Sequence, residues 1–324
     1  MTLHINEAEV RQILTMPMAM DAVEEISRKQ ADGRVILHPR RRFELPAGGG
    51  FFHYMAAMDT EAGFIAMKQY TYVKGVLRFL VPLYEISTGA LLAMIEADFL
   101  GQQRTGAASG VATKYLARAN ARTAAIIGTG GQARTQLEAV AAARKLDSVR
   151  VYGRDPERRA KFCAEMTARL GISVHPAASA AEAVRGAEIV NTATTSAKPV
   201  LDGQDIAQGA HINAIGANHA HKRELDDAAI SRAGLIFVDS IEQSKQEAGD
   251  LIIPFQQEPK RWEEVRELDQ LIAGKVPGRT EEKQITLFKS NGIASWDLAV
   301  AEKIYALARQ KNLGRELPFF SSGR

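Results

Sequence analysis

The 324-residue chain is predicted to be an α/β protein with a central parallel-sheet domain and a smaller α+β domain. Three observations support this prediction. After Asn120, short apolar runs alternate with alanine-rich helical stretches, which is typical of a parallel sheet covered by helices on both faces. Between residues 42 and 84, the apolar runs are separated by turns alone. A glycine-rich turn directly follows the first apolar run of the alternating region.

The region before Asn120 is predicted to contain helices and a mostly antiparallel sheet. Pro17 stands where a helix can begin, and residues 18–29 have apolar side chains at helical spacing. A second helix, rich in small residues, is expected at 101–118. The predicted strands lie at 51–55, 64–68 and 77–84, separated by turn residues that include Gly48-Gly49-Gly50.

The region after Asn120 is predicted to supply the parallel sheet. Its apolar runs are too short for membrane spans and lack polar alternation, so strands buried on both faces are expected. An amphipathic helix is predicted at 295–310. The predicted strands of this region are 123–128, 148–153, 188–193, 211–216, 235–240 and 285–289.

Composition excludes several classes of protein. The net charge of +3 is the balance of 41 basic and 38 acidic side chains, which is too even for a nucleic-acid or membrane-surface protein. Cys163 is the only cysteine, so no intramolecular disulfide can form. Residues 1–7 have no signal-peptide character, and no metal site is expected. We therefore expect a cytoplasmic protein.

The glycine-rich turn predicts a dinucleotide site. Gly128, Gly130 and Ala133 form a Gly-x-Gly-x-x-Ala pattern between a buried strand and a helix, the context of a Rossmann-type turn. Gly128 permits the tight turn, Gly130 lets a pyrophosphate approach the backbone, and Ala133 keeps the helix close to the strand. The alternative is a glycine-rich turn that binds nothing.

The end of the second strand favours NADP(H). NAD sites usually place an acidic residue there to bind the ribose hydroxyls, but this chain has Gly153, followed by Arg154 and Arg158. Guanidinium groups suit a 2′-phosphate, which a carboxylate would repel. In the alternative interpretation the arginines are solvated and Asp155 binds the ribose, so that NAD(H) is the cofactor.

Several separated motifs occur in one order along the chain, colinear from about Arg42 to Asp297. They are Thr88-Gly89, Arg104-Thr105-Gly106-Ala107-Ala108-Ser109, Lys114-Tyr115-Leu116-Ala117-Arg118, the Gly-Thr-Gly-Gly-Gln-Ala turn, Val190-Asn191-Thr192-Ala193-Thr194, Ile212-Asn213-Ala214-Ile215-Gly216, Arg223-Glu224-Leu225-Asp226, Val238-Asp239 and Gly249-Asp250-Leu251. In these motifs the chain resembles the ornithine cyclodeaminase/mu-crystallin family, which includes archaeal-type alanine dehydrogenases and ketimine reductases.

The resemblance implies a particular layout. Residues 120–292 would form the dinucleotide-binding domain. Residues 1–119, completed by the C-terminal segment 293–324 with its helix, would form a substrate and dimerisation domain. A homodimer acting on a small α-imino or α-amino acid is therefore expected, without nucleic-acid or membrane partners.

The resemblance also implies residue roles. Arg42 and Lys68 would hold the substrate carboxylate, Arg104 would bridge substrate and cofactor, and Thr105 would contact the cofactor phosphates. Ser290-Asn291-Gly292 would lie near the nicotinamide. The remaining positions that the resemblance places in the cofactor site are Gly131, Gln132, Thr192, Ala193 and Gly216.

Two of these assignments have simpler alternatives. Lys68 follows Ile65-Ala66-Met67 in a predicted strand and could alternate outward. At least one residue of the basic run 40–42 is expected to be solvated. We choose Arg42 because it precedes Pro46 at the family's spacing.

One departure from the family bears on the reaction. After the predicted strand at 211–216, cyclodeaminases carry an aspartate credited with acid–base work, whereas this chain has Asn218. An amide cannot accept a proton as a carboxylate can. We therefore assign Lys68, Arg104 and Asn218 to catalysis in an NAD(P)H-dependent imino-acid reductase or amino-acid dehydrogenase, with His219 as another possible proton donor. The alternatives are a redox-neutral ornithine cyclodeaminase and a non-catalytic NADP(H)-binding protein.

Overall fold

The computed structural model describes residues 1–319 and divides into two compact units. The first unit contains Met1–Arg104 and the chain from Ile293 onward, and the second is Thr105–Gly292. The boundary expected between residues 119 and 120 is thus found between Arg104 and Thr105 instead. Residues 320–324 of the expected C-terminal segment lie outside the described residues.

The first unit is built on a seven-stranded sheet with the order β15-β1-β6-β5-β4-β3-β2. Neighbours from β2 to β6 are antiparallel, as predicted, whereas β1 pairs with β6 in parallel. The strands are β1 (Thr2–Ile5), β2 (Val35–Glu44), β3 (Gly50–Asp59), β4 (Phe64–Val73), β5 (Val76–Glu85), β6 (Leu91–Glu96) and β15 (Arg315–Leu317). Its helices are α1 (Glu7–Ile13), α2 (Met16–Ala31), the first part of α3 (Asp98–Leu116) and α11 (Ala294–Lys311).

One face of this sheet packs against α11. Side chains alternate between the two faces of a strand, and in β3 the residues His53, Met55 and Ala57 are buried while their neighbours are only half-buried. Trp296 of α11 is among the largest fully buried side chains, and its indole Nε1 donates to Ser27 Oγ of α2 at 3.4 Å. The C-terminal helix therefore completes the core of the first unit.

The opposite face of the same sheet carries many apolar side chains that are incompletely buried, together with some polar ones. We call this surface the outer sheet face. Strand register places its members on the same side of β2 to β5, and Phe43 is 58% exposed. The apolar members of the outer sheet face are Ile36, Phe43, Phe52, Tyr54, Met58, Ile65, Met67, Leu80 and Tyr84, and its polar members include His38, Arg41, Gln69, Thr71 and Arg78.

The second unit is built on an eight-stranded sheet with the order β13-β12-β14-β11-β10-β7-β8-β9, in which every pairing is parallel. This confirms the predicted fold class, and it adds β9 and β13 to the strands expected. The strands are β7 (Thr123–Ile127), β8 (Ser148–Tyr152), β9 (Ser173–Pro176), β10 (Ile189–Thr192), β11 (His211–Ala214), β12 (Ala233–Val238), β13 (Val265–Glu267) and β14 (Ile285–Lys289). The helices are the rest of α3, α4 (Gly131–Ala143), α5 (Pro156–Leu170), α6 (Ala180–Val184), α7 (Asp227–Arg232), α8 (Ile241–Glu247), α9 (Gly249–Phe255) and α10 (Leu268–Ile272).

The strand order of the second unit reverses beside β7. The chain passes from β7 to β8 on one side, and β10 lies on the other side of β7. In parallel sheets such a reversal opens a crevice at the carboxyl ends of the strands, where ligands bind. The loops that follow β7, β8 and β10 are therefore expected to form a binding site.

Contacts within α3 explain why the second unit begins at Thr105. Gln136 Nε2 of α4 donates to the carbonyl of Thr105 at 3.2 Å. Gly106 approaches α4 so closely that a Cβ there would lie 2.5 Å from Thr135 O. These contacts tie the later part of α3 to the parallel-sheet unit.

Among the described residues, we find no helix whose length and apolar character would let it span a membrane.

Candidate functional site

A crevice of about 590 Å³ opens where the strand order of the second unit reverses. Its walls come from the loops after β7, β8 and β10, as the topology predicts. The lining residues are Ile127, Gly128, Thr129, Gly130, Tyr152, Gly153, Arg154, Asp155, Arg158, Ala193, Thr194, Thr195, Ser196 and Val200. Of the residues predicted to bind the cofactor, Gly128, Gly130, Arg154, Arg158 and Ala193 are among them.

The two glycines of the turn differ in the reason each is required. Gly128 has φ +123°, and a Cβ there would lie 2.5 Å from Ala193 O, so the backbone itself requires glycine. Gly130 has ordinary backbone angles, and a Cβ there would meet nothing within 4 Å. Gly130 therefore leaves space that a ligand can occupy, which fits the close approach of a pyrophosphate.

The start of α4 is arranged to receive phosphate oxygens. Gly131 and Gln132 begin the helix and Ala133 is fully buried, while no side chain of the described residues caps its first turn. Arg134 Nη1 donates to the carbonyls of Thr129 and Gly130 at 3.3 and 3.2 Å. Arg134 thus holds the turn through these two carbonyls. The first amides of the 13-residue helix remain available to an anion.

The end of β8 presents cationic side chains. Arg154 and Arg158 are exposed, and neither guanidinium has an ion-pair partner within residues 1–319. A Cβ at Gly153 would lie 2.8 Å from Thr129 Cγ2, so a larger residue would require Thr129 to shift. The carboxylate of Asp155 accepts a hydrogen bond from Arg158 N at 3.1 Å and caps α5.

Other predicted cofactor residues lie outside the lining of this crevice. Thr192 is fully buried, and its hydroxyl donates to Glu224 Oε2 at 2.8 Å. Gly216 N donates to the same oxygen at 2.7 Å. Asp239 Oδ2 accepts from Asn291 N at 2.7 Å and Gly292 N at 2.6 Å, which fixes the turn after β14.

In the first unit, the sheet buries a cluster of three charged side chains. Lys68 of β4 is 4% exposed, so it points inward, contrary to the outward alternative. Lys68 Nζ and Arg104 Nε of α3 both lie 3.0 Å from Oδ1 of Asp297 in α11. Arg104 Nη1 and Asp297 Oδ2 are buried and have no partner within the described chain.

Burial makes Lys68 a weaker base than an ordinary lysine. Desolvation is the largest cause, and the positive charges of Arg104 and Arg40 act in the same direction, while Asp297 opposes them. The pKa of Lys68 falls from 10.5 to about 8. An ammonium group with this pKa can release a proton near neutral pH.

The basic run in β2 has two arginines on the Lys68 side of the sheet. Arg42, chosen from the sequence, is half-buried and pairs in register with His53. Arg40 is 6% exposed, and its Nη2 lies 3.8 Å from Met55 Sδ, beside the strand position of Lys68. Strand register places Arg42 on the same face, so both arginines belong to the Lys68 side of the sheet.

Asn218 follows β11 in the second unit and is half-buried. Its carbonyl contacts His219 Nδ1 at 2.8 Å, and the rings of His219 and His221 have centroids 5.6 Å apart. Asn218 thus presents an amide side chain in the loop after β11.

Sequence reasoning missed four residues that shape these sites: Arg40, Thr129, Arg134 and Asp297. Asp297 carried a signal, since it is an acidic residue inside the apolar run Trp296 to Val300. Arg40 could not be separated from its neighbours because a β-bulge between His38 and Arg41 shifts the register.

The chain is similar to proteins of known activity. It is 38% identical over 247 residues to a Δ1-pyrroline-2-carboxylate reductase of Bacillus cereus, covering 76% of each chain. The structure of the Thermococcus litoralis Δ1-pyrroline-2-carboxylate reductase in complex with NADH and L-proline matches with a TM-score of 0.94 and 34% identity, over 98% of this chain and 100% of that one. An archaeal alanine dehydrogenase dimer with bound NAD matches with a TM-score of 0.92 and 35% identity, over 98% and 99%.

The parallel sheet, its crevice and these relatives define an NAD(P)-dependent oxidoreductase. The model of the ornithine cyclodeaminase/mu-crystallin family matches residues 2–312. The chain belongs to this family, which confirms the resemblance found in the sequence.

Proposed function

We propose that the protein is an NAD(P)H-dependent reductase of a small α-imino acid, cyclic or linear, that can also run as an amino-acid dehydrogenase. The observation that carries this proposal is the buried pair of cations, Lys68 and Arg104, on one oxygen of Asp297. Two cations and one carboxylate leave an excess positive charge, which is costly in a buried place unless an anion joins them. The carboxylate of an imino acid is such an anion.

Lys68 and Arg104 bind that carboxylate in our proposal. Arg104 Nη1 is buried without a partner in the described chain, so it can donate to a ligand without breaking an existing hydrogen bond. Arg42 and Arg40 on the same sheet face add positive potential. Fixing the carboxylate orients the C=N bond, which reduces the entropy lost on reaching the transition state.

Lys68 is also the proposed proton source. Its pKa of about 8 keeps a large ammonium fraction at neutral pH while easing proton release to the imine nitrogen. When bound, the reduced dinucleotide supplies a hydride to the imine carbon. Asn218 orients the substrate in this scheme and does not act as a base, because its amide cannot take up a proton.

We propose NADP(H) as the preferred cofactor and NAD(H) as the alternative. Gly130, Gly131, Gln132 and the first turn of α4 would hold the pyrophosphate, with Thr105, Thr192, Gly216, Asn291 and Gly292 as the further family positions. Arg154 and Arg158 are exposed in the crevice and available for a 2′-phosphate, and this supports NADP(H). Support for NAD(H) comes from the relatives bound to NADH and NAD and from Asp155 in the lining.

We further propose a homodimer formed through the outer sheet face. Exposed apolar patches of this kind mark interaction surfaces, and a second copy presents the same apolar strands. The similar archaeal alanine dehydrogenase is a dimer. Sedimentation should show a dimer, and Phe43→Lys should yield monomer.

We also propose a cytoplasmic location. The free, buried thiol of Cys163 is compatible with a reducing compartment.

The deciding experiment measures dinucleotide oxidation with candidate substrates. Purified protein is mixed with NADPH or NADH and either Δ1-pyrroline-2-carboxylate, Δ1-piperideine-2-carboxylate, or pyruvate with ammonia or methylamine. We expect turnover with at least one imine, at a rate that saturates with imine concentration. A redox-neutral cyclodeaminase would instead convert ornithine to proline with no net change in nicotinamide absorbance. Tight dinucleotide binding without any turnover would indicate a non-catalytic binder.

A further inference from the structure

One wall of the dinucleotide crevice is fastened to a single buried glutamate. The wall is the loop from Thr194 to Val200, which follows β10. Glu224 Oε1 accepts from Thr194 N at 2.6 Å, and the carbonyl of Glu224 accepts from Val200 N at 2.8 Å. Glu224 therefore holds both ends of this loop, although it does not itself line the crevice.

The same carboxylate joins the ends of two neighbouring strands. Glu224 Oε2 accepts from Thr192 Oγ1 at the end of β10 and from Gly216 N just after β11, at 2.8 and 2.7 Å. A Cβ at Gly216 would lie 2.2 Å from Thr194 O, so the two loops are in direct backbone contact. The carboxylate thus satisfies the buried hydroxyl of Thr192 and two partly buried amides.

A buried ion pair holds Glu224 in place. Asp250 Oδ1 accepts from the backbone amides of Glu224 and Leu225 at 2.7 and 2.9 Å. Asp250 Oδ2 lies 3.1 Å from Nζ of Lys289, and both side chains are fully buried. Lys289 Nζ also donates to the carbonyl of Ala217, next to Asn218. The loops after β10 and β11 are therefore fixed by one connected polar network.

We infer that Glu224 is a positioning residue for the dinucleotide site, setting the wall between Thr194 and Val200 at the distance that the cofactor requires. Such a role needs a carboxylate, because a glutamine would turn its NH₂ group toward one set of donors. A loop that is already held in place binds its ligand more tightly, because a mobile loop loses conformational entropy when the ligand orders it. This inference rests on dinucleotide binding and is independent of the imine substrate.

The test is the Kd of NADH and NADPH for full-length Glu224→Gln, measured by isothermal titration. Glu188→Gln is the matched control. Glu188 also accepts from two backbone amides and a hydroxyl, those of Arg122 and Thr123, but it does so at the amino end of β7. We expect the Kd to rise about tenfold in Glu224→Gln and to stay within about twofold in Glu188→Gln, although both variants lose thermal stability.

Kinetics provide an independent readout. The KM for the dinucleotide should rise in Glu224→Gln while kcat at saturating dinucleotide stays close to the wild-type value. If Glu224→Gln does not fold, Glu224→Asp keeps the charge but draws the carboxylate away from its donors, and the Kd should then rise about threefold. An unchanged Kd in the folded variant would overturn the inference. Wild-type protein that binds neither dinucleotide would overturn it together with the cofactor assignment, whereas binding without imine turnover would overturn only the proposed reaction.

Discussion

Lys68 Nζ lies 3.0 Å from Oδ1 of Asp297, although 229 positions separate the two residues in the chain. Both are almost completely buried, and Gly101 packs so closely that a Cβ there would lie 2.7 Å from the same Nζ. Asp297 also accepts from Arg104, so one carboxylate oxygen holds two cations side by side. The spacing of the proposed carboxylate-binding groups is therefore set by the C-terminal helix.

Replacing either cation should impair imine reduction. Lys68→Met and Arg104→Met each remove a charge-assisted contact worth about 1.5–3 kcal/mol, so kcat/KM for the imino acid should fall at least about tenfold. Lys68→Met should leave dinucleotide Kd unchanged, because its contacts lie within the first unit. Lys29→Met, which breaks a comparable lysine–aspartate pair with Asp59, is the control. If kcat/KM falls equally in Lys29→Met, the loss in the other variants would reflect instability and not a missing substrate contact.

The pH dependence should identify Lys68 as the proton source. Only the protonated form is active in our proposal, so kcat/KM should fall as the pH rises through about 8. Asp297 raises the pKa of Lys68, and Asp297→Asn should therefore move this fall to lower pH. Asp59→Asn should leave the profile in place. A profile that is flat across pH 8 in the wild type would contradict this role.

The two turn glycines should respond differently to the same substitution. Gly130→Val places a side chain in open space at accessible backbone angles, so the fold should persist while titration shows dinucleotide binding lost. Gly128→Val conflicts with φ +123° and with Ala193 O, so it should lower Tm or prevent folding. Retained binding by Gly130→Val would mean that the turn is structural only.

Cofactor preference should depend on Arg154. We expect a lower KM for NADPH than for NADH, and Arg154→Ala should raise the NADPH value about tenfold by removing a charge-assisted phosphate contact. The NADH value should change little. Arg169→Ala, near the C-terminal end of α5 and paired with Glu138, tests for a general effect of lost charge. A strong wild-type preference for NADH that Arg154→Ala leaves unaltered would refute the 2′-phosphate assignment.

Asn218 should separate reductase from cyclodeaminase. Asn218→Ala should lower the reductive rate modestly, because the amide only orients the imine. Asn218→Asp supplies a proton acceptor and should introduce reactivity toward free amino acids. The assay follows proline and ammonia from ornithine with catalytic amounts of NAD. Efficient proline formation by the wild-type protein would contradict both the reductase proposal and this interpretation of Asn218.

Local patterns were sufficient to predict the parallel-sheet unit. Its strands are short apolar runs that begin at positions such as Thr123 and Ile285. The segments between these runs have residues that favour helices, in agreement with the helices of the fold. The Gly128–Gly130 turn could be assigned because its strand and helix adjoin it in sequence. Six strands were not predicted. Four of them, β1, β9, β13 and β15, have only three or four residues and depend on pairing with distant segments, and β2 and β6 were missed as well.

The boundary between the units and the charged cluster depend on distant contacts. Sequence periodicity shows a continuous helix through Arg104 and Thr105, and only packing reveals that its two parts belong to different units. The burial of Lys68 likewise follows from α11 covering the sheet. The burial of Arg40 beside Met55 depends on the bulge in β2, which no residue pattern indicates.

The return of the chain at Ile293 determines the order in which the protein can fold during synthesis. The second unit is one uninterrupted segment and can form its core as soon as that segment has left the ribosome. The first unit has segments on both sides of the second unit in sequence, and Trp296 and Asp297 belong to the later segment. Lys68 and Arg104 therefore emerge early and remain without their counter-ion while nearly two hundred further residues are made, as the 193-position separation of Arg104 and Asp297 requires. The core of the first unit therefore forms late, through contacts between distant parts of the chain. Loss of α11 should leave nascent chains in which the second unit is folded and the sheet of the first unit is uncovered and prone to aggregate.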